Sequence, residues 1–187
     1  TLEDYLSGTN LVYTNKRRMS INTILNKYYS IQATEYLLAE WEKEDEEVVR
    51  LAIQGSAIAL QHACKALQGN RAIALEAVRK NGLLLAFVAG GLENDEDVVL
   101  AAVTQTGYAL QYASHELKND KEVVLAAVAQ SNYPLTYASV ALNADTEVIL
   151  AAVTLNGLVL EYVSDKFKAD KEVVLAAVTQ NGSALEY

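Results

Sequence analysis

The sequence is poor in the residues that form disulfides, metal sites and nucleophilic centres. Its 187 residues include one cysteine, one proline, one tryptophan and two histidines. The single cysteine, Cys64, excludes an internal disulfide, and neither His62 nor His115 has a second ligand at metal-ligand spacing. No Gly-rich phosphate loop, Gly-x-Ser-x-Gly elbow or His-Glu-x-x-His motif occurs. We therefore expect no catalytic residues, no cofactor and no metal, and interpret the chain as not being an enzyme.

Long apolar runs and positive charge are also scarce. No run approaches the roughly 20 apolar residues of a membrane-spanning helix, and no targeting signal is visible in the chain. The formal net charge of −9 argues against nucleic acid as a partner, because a phosphate backbone attracts lysine and arginine. The one basic cluster, Lys16 to Arg18, is interpreted as a solvated loop. We expect a soluble protein without membrane insertion, and its compartment stays unknown.

The chain does contain a strict repeat of 25 residues. Its copies begin, without insertions, at Asp45, Asn70, Asp95, Asp120, Asp145 and Asp170. Such a period is typical of stacked helical repeats, and it predicts an all-α protein of one elongated domain. The predicted architecture is an α-solenoid, a superhelical stack of short antiparallel helix pairs. Residues 45–187 would form five full copies and a partial sixth, residues 20–44 a divergent capping helix pair, and residues 1–19 an N-terminal arm.

Each copy, numbered 1 to 25 from its Asp or Asn, carries its own start and stop signals. Position 1 predicts the N-cap of a first helix, helix A. Helix A should end near position 12, because position 13 is mostly glycine, which tolerates the left-handed conformation that closes a helix. Pro134, at position 15, suits the first turn of a second helix, helix B, over positions 15 to 24.

The predicted core consists of one apolar stripe on each helix. Helix A contributes Val123, Val124, Ala127, Val128 and their counterparts, and position 8 is alanine in all six copies, which allows a neighbouring helix to approach closely. Helix B contributes Leu110, Ala113, Ser114 and Leu117. Cys64 stands where other copies have alanine or serine, and is interpreted as a small packing residue.

Position 18 predicts a ladder of rings. Its residues are His62, Phe87, Tyr112, Tyr137, Tyr162 and Tyr187. The rings either pack against helix A of the adjacent copy or line a binding groove. We favour packing, and expect the Tyr137→Ala protein to melt well below the parent. The candidate interaction surface comprises His62, Phe87, Tyr112, Tyr137, Tyr162 and His115.

Two sets of words identify a resemblance. They are Ala102-Val-Thr-Gln-Thr-Gly107 followed by Ala109-Leu-Gln-Tyr-Ala-Ser114, and Ala177-Val-Thr-Gln-Asn-Gly182 followed by Ala184-Leu-Glu-Tyr187. They resemble a helical repeat family catalogued as a domain of unknown function, over residues 45–187. The resemblance implies members that are often parts of longer proteins. It carries no assigned activity.

Two functional hypotheses follow. The first is a non-catalytic protein–protein interaction or scaffold module, an effector segment or subunit of a large assembly, whose partner is another protein. It rests on the varied residues at positions 17, 21 and 22 of an otherwise regular scaffold. The alternative is a regulatory or targeting segment of a larger enzyme whose catalytic domain lies outside this chain, because the sequence opens on Thr1 and stops within a copy at Tyr187.

Overall fold

A computed structural model describes residues 46–187, and within that range it contains helices and turns but no strand. The predicted arm (1–19) and capping pair (20–44) lie outside the described residues. Helix A is present in every copy, and its bounds are Glu46–Gly55, Arg71–Lys80, Glu96–Gln105, Lys121–Val128, Thr146–Leu155 and Lys171–Gln180. The prediction of an all-α protein of the α-solenoid class is confirmed.

The N-cap prediction for position 1 is confirmed wherever the structure describes that position. The Asp95 and Asp120 carboxylates accept hydrogen bonds from the amides of Val98 and Val123, at 3.1 and 3.0 Å. Asn70, Asp145 and Asp170 each accept from two amides of the first turn. These side chains satisfy amides that lack a carbonyl partner inside the helix.

The prediction of one continuous helix B is wrong, because two short pieces take its place. A 3₁₀ segment comes first, with bounds Ala57–His62, Gly82–Phe87, Gly107–Tyr112, Pro134–Tyr137, Gly157–Tyr162 and Gly182–Glu186. A closing turn follows in the first five copies, at Lys65–Gln68, Leu92–Asn94, Leu117–Asn119, Val140–Ala144 and Asp165–Lys168. Between the two pieces, position 19 is extended, as at Ala113 with ψ 158°.

Hydrogen bonds between copies explain this break. The amides of Ser114 and Ser139, at position 20, donate to the carbonyls of Glu93 and Lys118 in the preceding copies, at 2.8 and 2.9 Å. The Ser139 hydroxyl also lies 2.5 Å from Oδ1 of Asn119. A continuous α-helix would use each of these amides for a bond within its own copy. The extended residue releases them to join neighbouring copies.

Position 13 is glycine for a reason that the sequence analysis missed. The described residues with positive φ are Gly90 and Gly91, so the expected left-handed cap at position 13 is wrong. Instead, a Cβ on Gly82 would overlap the carbonyl oxygen of Ala102, which is position 8 of the next copy. Gly107 and Gly157 meet Ala127 and Ala177 in the same way. Close approach at position 8 is therefore confirmed, but the approaching element is the 3₁₀ segment of the preceding copy.

Two further side chains hold this contact in place. Oε1 of Gln105, at position 11, accepts the amide hydrogen of Gly82 at 2.7 Å, and Gln180 does the same for Gly157 at 2.6 Å. Asn81, at position 12, caps the 3₁₀ segment of its own copy by accepting from the Leu83 amide at 3.1 Å. The segment Ala-Val-Thr-Gln-Asn-Gly thus combines a helix end, a cap and a contact between copies.

The fourth copy shows what happens without the glycine. Its position 13 is Asn132, and its helix A ends at Val128, earlier than helix A of the other copies. Its 3₁₀ segment begins at Pro134 rather than at position 13. A side chain at position 13 would not fit against the next carbonyl, so the chain turns away first. The side-chain amide of Asn156 then donates to the Val128 carbonyl at 3.4 Å.

The chain divides into two compact units, Thr1–Leu67 and Gln68–Tyr187. In the described part of the first unit, Val48, Val49, Ala52 and Ile53 of helix A are buried, as is Leu60 of the 3₁₀ segment. In the second unit, each helix A packs on the helix A of the next copy, and each 3₁₀ segment contacts the next one.

The core of the second unit matches the predicted stripes. It is built from positions 4, 5, 8 and 9 of helix A and positions 15 and 16 of the 3₁₀ segment, for example Val123, Val124, Ala127, Val128, Ala109 and Leu110. Ala113 and Leu117 are buried as expected, while Ser114 is half-buried. Cys64, in the first unit, is half-buried.

The close approach predicts a difference between two identical substitutions. In Gly107→Ala, the new methyl group would overlap the Ala127 carbonyl and the Pro134 ring, so we expect a loss of about 1–3 kcal/mol in the free energy of unfolding. Gly182→Ala is the matched control, because a Cβ at Gly182 meets nothing within 4 Å. Urea unfolding of both proteins checks this. Equal losses would contradict the role of position 13.

Candidate interaction surface

Apolar side chains at positions 14 and 18 lie on the outer side of the 3₁₀ segments of the second unit. Positions 15 and 16 between them point into the core, as Ala109 and Leu110 show by their complete burial. We call the outer set the aromatic face. It consists of Leu83, Phe87, Tyr108, Tyr112, Tyr133, Tyr137, Leu158, Tyr162 and Tyr187.

Tyr133 is the centre of a ring cluster on this face. Its ring centroid lies 5.8 Å from that of Tyr108, 5.5 Å from that of Tyr137 and 5.2 Å from that of Tyr162. The contacts with Tyr137 and Tyr162 are edge-to-face, which is a favourable arrangement for aromatic rings. Because these tyrosines belong to three successive copies, the cluster also joins the copies along the face.

The rings are packed on one side and exposed on the other. Phe87 and Tyr112 are each 38% exposed and Tyr108 is 44% exposed, whereas Tyr137 and Tyr162 are half-buried. The structure therefore combines the two interpretations of the ladder: rings of neighbouring 3₁₀ segments pack on one another, and their outer surfaces meet solvent. The lower melting temperature expected for Tyr137→Ala stays a prediction.

The remaining predicted residues lie apart from the ring cluster. His62 is half-buried in the first unit, where its Nε2 lies 2.7 Å from Nε2 of Gln61. His115 is exposed in the turn that follows the third 3₁₀ segment. The sequence analysis missed Tyr108 and Tyr133. A signal was present, because each stands four residues before a position-18 tyrosine in its own copy.

The hydroxyl groups of the aromatic face stay protonated in the folded state. Burial, followed by the neighbouring tyrosines, raises the pKa of Tyr137. A hydrogen bond to the Glu161 carboxylate, followed by burial, raises the pKa of Tyr162. The charge of the same carboxylate raises the pKa of Tyr187. At neutral pH these tyrosines are therefore available as hydrogen-bond donors.

Other features of the described residues suggest no chemistry. Among residues 46–187, no group of three or more His, Cys, Asp or Glu side chains is placed to hold a metal ion. An open groove on the helices A is lined by Arg79, Leu100, Ala101, Thr104 and Gln105, a set without a nucleophile or general base. No helix in the described range has the length and apolar character needed to cross a membrane.

The ring cluster predicts a graded loss of stability. Tyr133→Ala removes three ring contacts, each contributing about 0.5–1.5 kcal/mol, so we expect a loss of about 2–3 kcal/mol. Tyr137→Ala removes one of these contacts and should melt below the parent by a smaller margin. Tyr133→Phe keeps the ring and should stay close to the parent. Thermal melting measures all three, and a Tyr133→Ala protein as stable as Tyr133→Phe would contradict the cluster.

Glu161 predicts a pH dependence. Because the pKa values of Tyr162 and Tyr187 are higher in the folded than in the unfolded state, stability should fall as pH rises above about 10. Glu161→Gln removes the charge that raises both values, so they should move back toward the ordinary value and the alkaline loss should shrink. Titration by tyrosinate absorbance, with urea unfolding at neutral and alkaline pH, measures both effects. An unchanged titration curve would contradict the assignment.

Comparison with known proteins identifies one family. The family model described as Domain of unknown function (DUF4116) matches residues 44–92, 95–143 and 145–187. The first two matches each span about two of the 25-residue copies, so the family unit corresponds to a pair of copies. No curated protein and no solved structure matches the chain significantly. Since the matches cover well over half of its length, the chain belongs to the DUF4116 family of repeats.

Proposed function

We propose that the repeats form a non-catalytic protein-interaction module and that the aromatic face is its contact surface. The observation that supports this most is the ring cluster: tyrosines from three successive copies hold one another in place while neighbouring rings remain more than one third exposed. Contiguous exposed apolar surface on a soluble protein commonly marks a site of interaction.

The physical properties of the rings suit binding. Tyrosine provides a large rigid area and a polar hydroxyl, and it is enriched among the residues that contribute most to interface affinity. Rings that already contact one another lose little side-chain freedom when a partner binds. The contacts of Tyr133 with Tyr137 and Tyr162 reduce that entropic cost before any partner arrives.

The scaffold beneath the rings is rigid, whereas the flanking positions vary. Hydrogen bonds and close contacts between copies fix the 3₁₀ segments that carry the face. By contrast, position 21 holds a different residue in each described copy: Lys65, Gly90, His115, Val140 and Asp165. Val140 is 84% exposed, which is unusual for an aliphatic side chain. Variation of this kind gives each copy its own contact at the edge of a shared surface.

Recovery of a partner tests the proposal. The tagged chain, expressed in its native source, should co-purify with a protein partner. A double variant, Phe87→Ala with Tyr112→Ala, should lose that partner, since both rings are exposed on the face. Leu175→Ala is the matched control, because Leu175 is 56% exposed on helix A, outside the face. A partner retained by the double variant, or repeated recovery of the chain alone, would contradict the proposal.

A further inference from the structure

The backbone of the described residues limits how a partner can bind. Residues 46–187 contain no strand, so they offer no sheet edge to which a partner could add a strand. Recognition on the aromatic face must therefore use side chains: ring surfaces and hydroxyl donors. Aromatic grooves with such donors are typical binding sites for proline-rich segments in the polyproline II conformation. Building on the proposed function, we propose that the aromatic face binds a basic, proline-rich segment of a partner protein in that conformation.

The repeat spacing matches this ligand. Packed helical elements lie about 8–10 Å apart, which sets the step from one copy to the next. A polyproline II helix has three residues per turn and rises about 3.1 Å per residue, or about 9 Å per turn. One turn of the ligand therefore corresponds to one copy. Each turn presents the same edge of the ligand to the next ring at position 18, from Phe87 to Tyr187.

Hydrogen bonding also matches. A polyproline II backbone makes no internal hydrogen bonds, so its carbonyl groups are free to accept. The hydroxyl groups of Tyr112, Tyr137 and Tyr162 recur at one per copy and can each donate to such a carbonyl. Phe87, at the same position, supplies ring surface without a donor. The face thus offers repeated stacking together with repeated donation.

The charges beside the rings determine the sign of the ligand. Position 17, adjacent to each position-18 ring, is an acid in the last two copies: Glu161, which is half-buried, and Glu186, which is exposed. The charge of Glu161 reaches two rings of the face, Tyr162 and Tyr187. No lysine or arginine occurs at positions 13 to 18 in any copy of the second unit, and the whole chain carries a formal net charge of −9. Lysine or arginine flanking the prolines would therefore be attracted to this edge, and an acidic segment would be repelled.

Fluorescence polarisation with the full 187-residue chain tests this inference. The probe is a labelled peptide of about nine residues, enough for three polyproline II turns, with arginines at both ends. One control peptide replaces every proline with alanine, and a second replaces every arginine with glutamate. We expect saturable binding of the probe and at least about fivefold weaker binding of each control, since the first loses the preformed conformation and the second the charge match.

Variants of the chain locate the binding site. Tyr112→Ala should weaken binding about tenfold and Tyr112→Phe by a smaller factor, because the latter keeps the ring and loses only the donor. Glu161→Gln should weaken binding and reduce its dependence on salt. Leu175→Ala should bind as the parent does. Circular dichroism of each variant checks that it is folded, and Phe87→Ala gives a second test at an independent ring.

Three results would overturn the inference. They are equal binding of the proline and alanine peptides, full binding by Tyr112→Ala and Phe87→Ala, or no saturable binding of the probe. Sedimentation equilibrium identifies one other occupant: a dimer of the chain abolished by Tyr112→Ala would assign the face to a second copy and overturn the inference as well. If the probe fails while partner recovery still requires Phe87 and Tyr112, this inference is wrong and the proposed function stands.

Discussion

The structure depends on the contact between the glycine at position 13 of one copy and the carbonyl of the alanine at position 8 of the next. At Gly82 and Gly157, a hydrogen bond from the glycine amide to a glutamine of the next copy accompanies this contact. Both groups need the glycine: a side chain would occupy the space of the carbonyl and push the amide away from its acceptor. The distance between copies is therefore set by backbone atoms, which explains why a strict period of 25 residues suits this fold.

The aromatic face follows from the same contact. The residue after the glycine is position 14 and the segment ends at position 18, so both ring positions belong to the segment that the contact holds. Asn132 replaces the glycine in the fourth copy, where helix A is shortened. The next residue there is Tyr133, the centre of the ring cluster. The irregular copy thus carries the most connected ring of the face.

Periodicity predicted the fold class well because it reports directly on burial and capping. The N-caps, such as Asp120, and the valine and alanine stripe of helix A were all predictable from residue type and spacing. The interrupted second helix was not, since its cause is a bond from Ser139 to Lys118 in another copy. The glycine was assigned to the left-handed region, because steric contact with Ala127 is invisible in one dimension. The face was found at position 18, but Tyr133 was missed because ring contacts depend on the 3₁₀ geometry.

The most direct test of this account is a double-mutant cycle between Gly82→Ala and Gln105→Ala, measured by urea unfolding. The two residues belong to different copies and meet through one hydrogen bond of 2.7 Å. If the methyl group of Gly82→Ala displaces the segment, that bond is already lost, and Gln105→Ala should cost little more in that background. The account predicts a coupling of about 1 kcal/mol. Costs that add within about 0.3 kcal/mol would contradict it, because the glycine and the glutamine would then not belong to one contact.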